Sequence, residues 1–333
     1  MYISTQKQHY DKDMVPFDQR VEVGSFSIDS EGRFRHDRSQ LKYYVEPDQA
    51  PHFDLRDGYN DHYVESDESQ KFCMNRILRW ILANKESSDC LRDVDFVTSR
   101  GRLTKLLTTP YDKASSWSLA VTKFRGIFYI NEIEREAARE NRLCRTDNEK
   151  RLIYSRQNFH KYLCSDEIDS PPDSNGVVNF NEAFFSVVQS CLSNHSLLFC
   201  GLVDCRDKNP GALNPPACYF NLKTTKKDQF LLLKWWAQSF LLGVPRIITG
   251  FRNDDDVVVS MKTYEVSDIP GLVQGEVNCF CSDFLSFVKS VATEDNPRVV
   301  YRFLRPCCSD VICTVYKDSS YSFLPDWYVK EMI

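Results

Sequence analysis

LLFCGLVDC, Leu197 to Cys205, and CYFNLKTTK, Cys218 to Lys226, flank a loop-like stretch, Arg206 to Pro216, that holds three prolines and a glycine. Both flanks read as strands, and side chains two apart on a strand share a face. Leu202 and Asp204 therefore point the same way, and so do Tyr219, Asn221 and Lys223. An aspartate on one strand, with an acid and a lysine two apart on its neighbour, is how many metal-dependent nucleases are built. The carboxylates hold divalent cations that activate water, and the lysine stabilises developing charge. Here asparagine stands where the second acid belongs. By itself this spacing is a weak signal, because an Asp and a Lys on strands are structural or merely exposed in most proteins.

Outward from these strands the chain alternates between the two periodicities. Asp67 to Lys85 reads as a helix with an apolar stripe of Phe72, Ile77, Leu78, Trp80 and Ile81. Thr146 followed by Glu149 is a capping box, opening a helix to about Leu163. Asn181 to Leu192, Gln229 to Leu242 and Val277 to Thr293 read as further helices. Other strands are expected at Val94–Ser99, Leu119–Phe124, Gly126–Asn131, Arg246–Phe251, Val257–Thr263, Val299–Leu304 and Val311–Tyr316. This pattern implies an α+β (mixed α/β) class, with mixed sheets flanked by helices. Residues 1–20 are expected to be loosely ordered, and 21–333 to form one domain, because neither Ser165–Gly176 nor Arg206–Pro216 is long enough for an interdomain linker.

The balance of 42% hydrophobic and 27% charged residues over 333 positions is that of a soluble globular protein. The longest apolar stretch, Phe230 to Val244, contains Lys234 and Gln238 and falls short of the roughly 20 residues that span a bilayer. Met1 to Phe17 is polar and of mixed charge, unlike a signal peptide, so an intracellular address is expected and the Asn194-His195-Ser196 sequon is read as unmodified. Thirteen cysteines, an odd number with no C-x-x-C pair, are read as small buried hydrophobes and not zinc ligands; Cys279, Cys281, Cys307 and Cys308 are the densest. A net charge of −5 excludes a broad basic surface, so any RNA contact must come from a local positive pocket, and DNA is not an expected partner.

Several segments together resemble the DXO family of RNA decapping exoribonucleases. They are FVTSRGRLTKLLTTPY (Phe96–Tyr111), NEAFFSVVQS (Asn181–Ser190), LLFCGLVDC and LLKWWAQSFLLGVPRIITGFRN (Leu232–Asn253). VGSFSID and FDLRDGY near the N-terminus and FLPDWYVKEM at the C-terminus agree too, in order, from about Val23 onward. The resemblance implies a single-domain fold with a D-(D/E)xK nuclease-like core. It implies action on RNA 5′ ends that carry incomplete caps, triphosphate or NAD, with two Mg²⁺ or Mn²⁺ ions, in nucleus or cytoplasm. The fungal branch docks onto a nuclear 5′→3′ exonuclease, which makes such a partner conceivable here. By the same resemblance Arg100 with Gly101, Asp204, Lys223 and Gln238 match the family's motif arginine and glycine, a metal-binding aspartate, the active-site lysine and a substrate-contacting glutamine. Lys42, in LKYY, stands where the family has a basic residue near the cap.

The departures fall at the reactive centre. His160 in NFHKYLC, Leu202 in GLVDC and Asn221 in NLK occupy positions where the family carries acids, and Ser99 replaces the aromatic before the motif arginine. Four acids roughly neutralise two divalent ions; Asp204 alone does not, and magnesium requires hard oxygen ligands. His160 is open to a core or rim role or, with Asp204 and Asn221, to a weak single transition-metal site. Losing carboxylates while keeping cations should make the pocket more positive and suit an anion without metal. The expectation is a protein that binds RNA 5′ ends, strongly reduced in catalysis and without a resident cofactor. An active hydrolase with altered ligands and a non-enzymatic interaction scaffold are the alternatives.

Overall fold

The computed structural model describes residues 1–10, 15–59, 63–67, 74–86, 89–209, 214–226, 232–269, 279–317 and 321–333. The strands of its first half are β1 (Tyr2–Ile3), β2 (Val21–Ile28), β3 (Phe34–Arg35), β4 (Tyr43–Tyr44), β5 (Phe53–Asp54), β6 (Tyr63–Val64), β7 (Phe96–Ser99), β8 (Trp117–Phe124) and β9 (Ile127–Glu132). Those that follow are β10 (Cys164–Ser165), β11 (Val178–Asn179), β12 (Ala183–Leu192), β13 (His195–Val203), β14 (Cys205–Arg206) and β15 (Tyr219–Thr225). The last four are β16 (Arg246–Arg252), β17 (Val257–Glu265), β18 (Val300–Arg305) and β19 (Val311–Tyr316). The helices among the described residues are α1 (Asn75–Ala83), α2 (Arg100–Thr108), α3 (Glu136–Leu143), α4 (Asp147–Leu163), α5 (Leu232–Leu242), α6 (Cys279–Val291) and α7 (Asp326–Met332). None is long and apolar enough to cross a membrane.

A ten-stranded mixed sheet runs β1-β19-β18-β8-β9-β7-β13-β12-β2-β3, and a seven-stranded one β10-β4-β14-β15-β16-β17-β5. The chain passes from the first to the second at Asp204, the one residue between β13 and β14. The largest core lies between the big sheet and α2, α5 and α6; a second buries α1 and α7 against the opposite face. A third, with Phe159 and Leu163 of α4 against Phe220, Leu222 and Ile248, sits under the smaller sheet. Close packing there uses Gly250, where a Cβ would lie 2.8 Å from the Phe159 ring.

The mixed α+β class stands, and most elements fall where the periodicity puts them. Asn181–Leu192 does not: it is β12, antiparallel to β13 and β2, and not a helix. Phe184, Val188 and Leu192 face one core while Ala183, Phe185 and Val187 face the other. A strand buried on both faces loses its alternation. Here Phe184, Val187, Val188, Cys191 and Leu192 happen to fall at helical spacing. The Asp67–Lys85 helix is shorter, Asn75–Ala83, and Phe72 lies outside the described residues, as do the first residues expected for α5 and α6. Tyr2 and Ile3, in the segment expected to be loosely ordered, pair with Ile312 and Val311. Seven described cysteines are buried, but Cys144, Cys307 and Cys308 are exposed, against the expectation of buried thiols.

Candidate functional site

Four elements converge on Asp204. α4 is started by Thr146, whose hydroxyl accepts the Glu149 N–H while the Glu149 carboxylate accepts the Thr146 N–H. Its last turn carries His160, whose Nε2 lies 4.0 Å from Asp204 Oδ1. On β15, Lys223 Nζ is 3.6 Å from Asp204 Oδ2, and the Leu222 N–H donates to that oxygen at 2.7 Å. At the N-terminus of α2, Arg100 Nη1 donates to Leu202 O at 2.9 Å, and its Nε is buried without a partner. Gly201 makes room for it: a Cβ there would sit 2.8 Å from Arg100 Cβ and 2.9 Å from Leu242 Cδ2.

Burial alone would raise the Asp204 carboxyl, but Lys223, His160 and the Leu222 N–H outweigh it and hold it below its ordinary value. Burial lowers Lys223 and His160, with Asp204 pulling each the other way. Asn221 is fully buried; its Nδ2 donates to Ser239 Oγ at 2.7 Å and its Oδ1 has no hydrogen-bond partner.

A cavity of about 520 Å³ opens above this cluster, with His160, Leu202 and Asp204 in its wall. Lys42 stands on the wall too, ion-paired with Asp166. Arg100, Asn221, Lys223 and Gln238 are not wall residues. Gln238 is half-buried on α5, and Gly101 is exposed on α2, where a Cβ would meet nothing closer than Ser99 Oγ at 4.0 Å. Sequence reasoning missed the other acids of the wall: Asp166, Glu167 and Asp173 from the loop after β10, and Glu182 before β12. That loop is visibly acidic in the sequence but reads only as a chain break. With Asp204 these make five carboxylates against Lys42 and Lys161 among the described residues, so this part of the wall is acidic and the expectation of a positive pocket fails there. Around Asp204 itself, Lys223 and Arg100 face that one carboxylate.

A family profile described as "RAI1 like PD-(D/E)XK nuclease" matches residues 18–329. The chain belongs to this RAI1-like nuclease family. It is 43% identical over 343 residues to the "Decapping and exoribonuclease protein" of Xenopus laevis, covering 93% of this chain and 85% of that one. With the human protein of that name it shares 40% over 342 residues, covering 95% and 86%. Among solved structures, Scheffersomyces stipitis Rai1 superposes with a TM-score of 0.84 at 23% identity, covering all of both chains. Candida albicans Rai1 in complex with pU5-Mn²⁺ also gives 0.84, at 20% identity, covering 99% and 98%.

Against the family's divalent ions, the donors at the centre are one carboxylate, one imidazole and one neutral amide oxygen, while Leu202 offers none. Among the described residues no three of His, Cys, Asp and Glu gather as a metal-binding group. This set does not fit a pair of hard divalent cations, which need several carboxylate oxygens.

Proposed function

We propose that this RAI1-like chain binds the phosphorylated 5′ end of RNA at the floor of the cavity and has lost most of the family's hydrolytic power. The observation that carries the reading is the pair Asp204–Lys223 beside Arg100. One carboxylate remains among cationic groups, and the neighbouring positions 202 and 221 hold a leucine and an asparagine. Relatives named for decapping and exoribonuclease activity, and one solved with pU5, supply the substrate class.

In this reading a terminal phosphate reaches Lys223 and Arg100 by displacing part of their hold on Asp204 and the Leu202 carbonyl. Each charge-assisted hydrogen bond contributes on the order of 1.5–3 kcal/mol. His160, in the cavity wall beside Asp204, adds a third contact. The acidic wall disfavours the rest of a polyanion, so recognition rests on the terminus more than on RNA length. Hydrolysis is weak because nothing at 202 or 221 supplies the anionic oxygens that hold the family's ions, and losing one charge-stabilising group already costs several kcal/mol in the transition state.

A second reading, a hydrolase with altered ligands, is favoured by the buried, unpartnered Asn221 Oδ1. With Asp204 and His160 it would make one mixed N/O site suited to a transition metal. One experiment separates the two. Short RNAs with triphosphate or hydroxyl 5′ ends are titrated in EDTA against the wild type and Arg100→Ala, and triphosphate- and NAD-capped RNA are assayed for turnover in Mn²⁺ and Mg²⁺. The first reading expects tighter triphosphate binding, lost on changing Arg100, with little turnover. Turnover near that of an active relative favours the second. Equal affinity for both ends leaves the scaffold alternative.

A further inference from the structure

Away from this site, β18 and β19 are joined through Pro306-Cys307-Cys308-Ser309-Asp310. The Ser309 N–H donates to Pro306 O at 3.3 Å, and Cys308 has φ 54°, a left-handed conformation uncommon for a residue with a side chain. That turn brings both thiols onto one acceptor. Cys307 Sγ lies 3.6 Å and Cys308 Sγ 3.4 Å from the Lys113 carbonyl oxygen, which also accepts the Cys308 N–H at 3.0 Å. The two sulfurs are 3.5 Å apart, and both residues are exposed.

Cys308 also stands on the wall of a second cavity of about 600 Å³, whose charged lining among the described residues is Lys7, Lys113 and Arg305, with no carboxylate among them. Arg305 is only 2% exposed; its Nη1 donates to Asp112 O and Ser115 O, and its Nε has no partner. The nearby acids are engaged: Asp112 accepts from the Ser115 N–H and hydroxyl, and Asp310 from the Thr5 N–H. A small anion entering this cavity meets cations and a sulfur together.

We propose that Cys307 and Cys308 form a reversible thiol–disulfide exchange site for an anionic low-molecular-weight disulfide, for which glutathione disulfide is the probe. The Cys308 thiolate attacks one sulfur of the incoming disulfide; that S–S bond breaks and one thiolate leaves, taking up a proton. Cys307 then loses its proton and attacks the Cys308 sulfur, expelling the second thiol. Two cysteine thiols become one disulfide, and the incoming disulfide is reduced to two thiols. The order follows from position and from the hydrogen bond with Cys308, which pushes the Cys307 thiol up. Adjacent Cα atoms are about 3.8 Å apart across a trans peptide, shorter than the roughly 4.4–6.8 Å of ordinary disulfides. The product is therefore strained and readily reduced, as befits a switch and not a structural bridge.

The test exposes the reduced full-length chain to graded glutathione disulfide, quenches with acid and maps the peptides by mass. Exposed Cys144, which follows α3, is the internal control. The wild type should end with the Cys307–Cys308 peptide two hydrogens lighter and free of adduct, whereas Cys307→Ser should keep one glutathione on Cys308. Reaction at Cys308 should exceed that at Cys144 on the order of tenfold. Lys7→Glu with Lys113→Glu should erase most of that excess while leaving the rate with uncharged 2-hydroxyethyl disulfide unchanged. A stable adduct on the wild type, a rate equal to that of Cys144, or indifference to the charge reversal would each overturn the proposal.

Discussion

Asp204 Oδ2 accepts the Leu222 N–H at 2.7 Å and lies 3.6 Å from Lys223 Nζ, so one carboxylate oxygen ties the hinge between two sheets to the neighbouring strand β15. On the proposed reading, the carboxylate that faces the site also holds the two sheets together. Removing it leaves Lys223 and Arg100 buried without their counter-charge. Loss of one partner from a buried pair costs about 3 kcal/mol or more.

The pH dependence follows from the sign of the shifts. The Asp204 value is depressed in the folded chain, so its stabilisation is present above the unfolded value of about 3.9 and is lost as pH falls through the lower folded one. Asp204→Asn should therefore be less stable than wild type at neutral pH and show a flatter decline below about pH 4. Because burial already lowers Lys223, the variant can shed that proton, and its deficit should narrow as pH rises toward the alkaline range. Urea denaturation across a pH series reads both slopes; parallel curves would refute the coupling.

Gly201→Ala probes how Arg100 is placed. A Cβ at 2.8 Å from Arg100 Cβ and 2.9 Å from Leu242 Cδ2 has no room without movement on both sides. Overpacking of this kind costs about 2 kcal/mol. The expected result is that loss by denaturation, together with weaker binding of 5′-triphosphate RNA at equal folded fraction. Full stability would mean that the strand shifts freely and that glycine there is incidental.

Much of this was legible in residues. The Thr146–Glu149 box set the start of α4, and with it the turn that presents His160; capping is local chemistry and survives any tertiary context. Along β15 the alternation holds, with Tyr219 in one core and Phe220 and Leu222 in another, whereas Asp204 lies just past the end of β13. β12 was not legible, since two cores claim its two faces and erase the period that distinguishes strand from helix. α2 follows β7 without a break, so no turn residue announces it. The acidic cavity wall was hidden for a different reason. Asp166, Asp173 and Glu182 are far from Asp204 in sequence, and only the fold brings the loop after β10 over the site.

Restoring carboxylates tests whether the scaffold still fits the family's ions. His160→Glu, Leu202→Glu and Asn221→Glu together should create manganese binding measurable by calorimetry, and each alone should give less than a third of the effect of the set, since ligands act as a unit. Two tight ions on the unaltered chain would overturn the proposal that His160, Leu202 and Asn221 leave the site unfit for the family's ions.

The rim offers a gain of function. Lys42 is ion-paired with Asp166 on the cavity wall, beside Glu167 and Asp173, so this wall cation is already engaged by a carboxylate. Asp166 is largely exposed, which keeps that pair weak, on the order of 0.2–1 kcal/mol. Asp166→Asn removes one negative charge from the wall and frees Lys42 without disturbing the core. Affinity for triphosphate RNA in EDTA should rise about threefold, by an amount that shrinks as salt is added. Adding Lys42→Ala to that variant should return affinity to or below the wild-type value. If Asp166→Asn changes nothing while Lys223→Ala abolishes binding, the phosphates reach the floor without passing Lys42, and the rim plays no part in recognition.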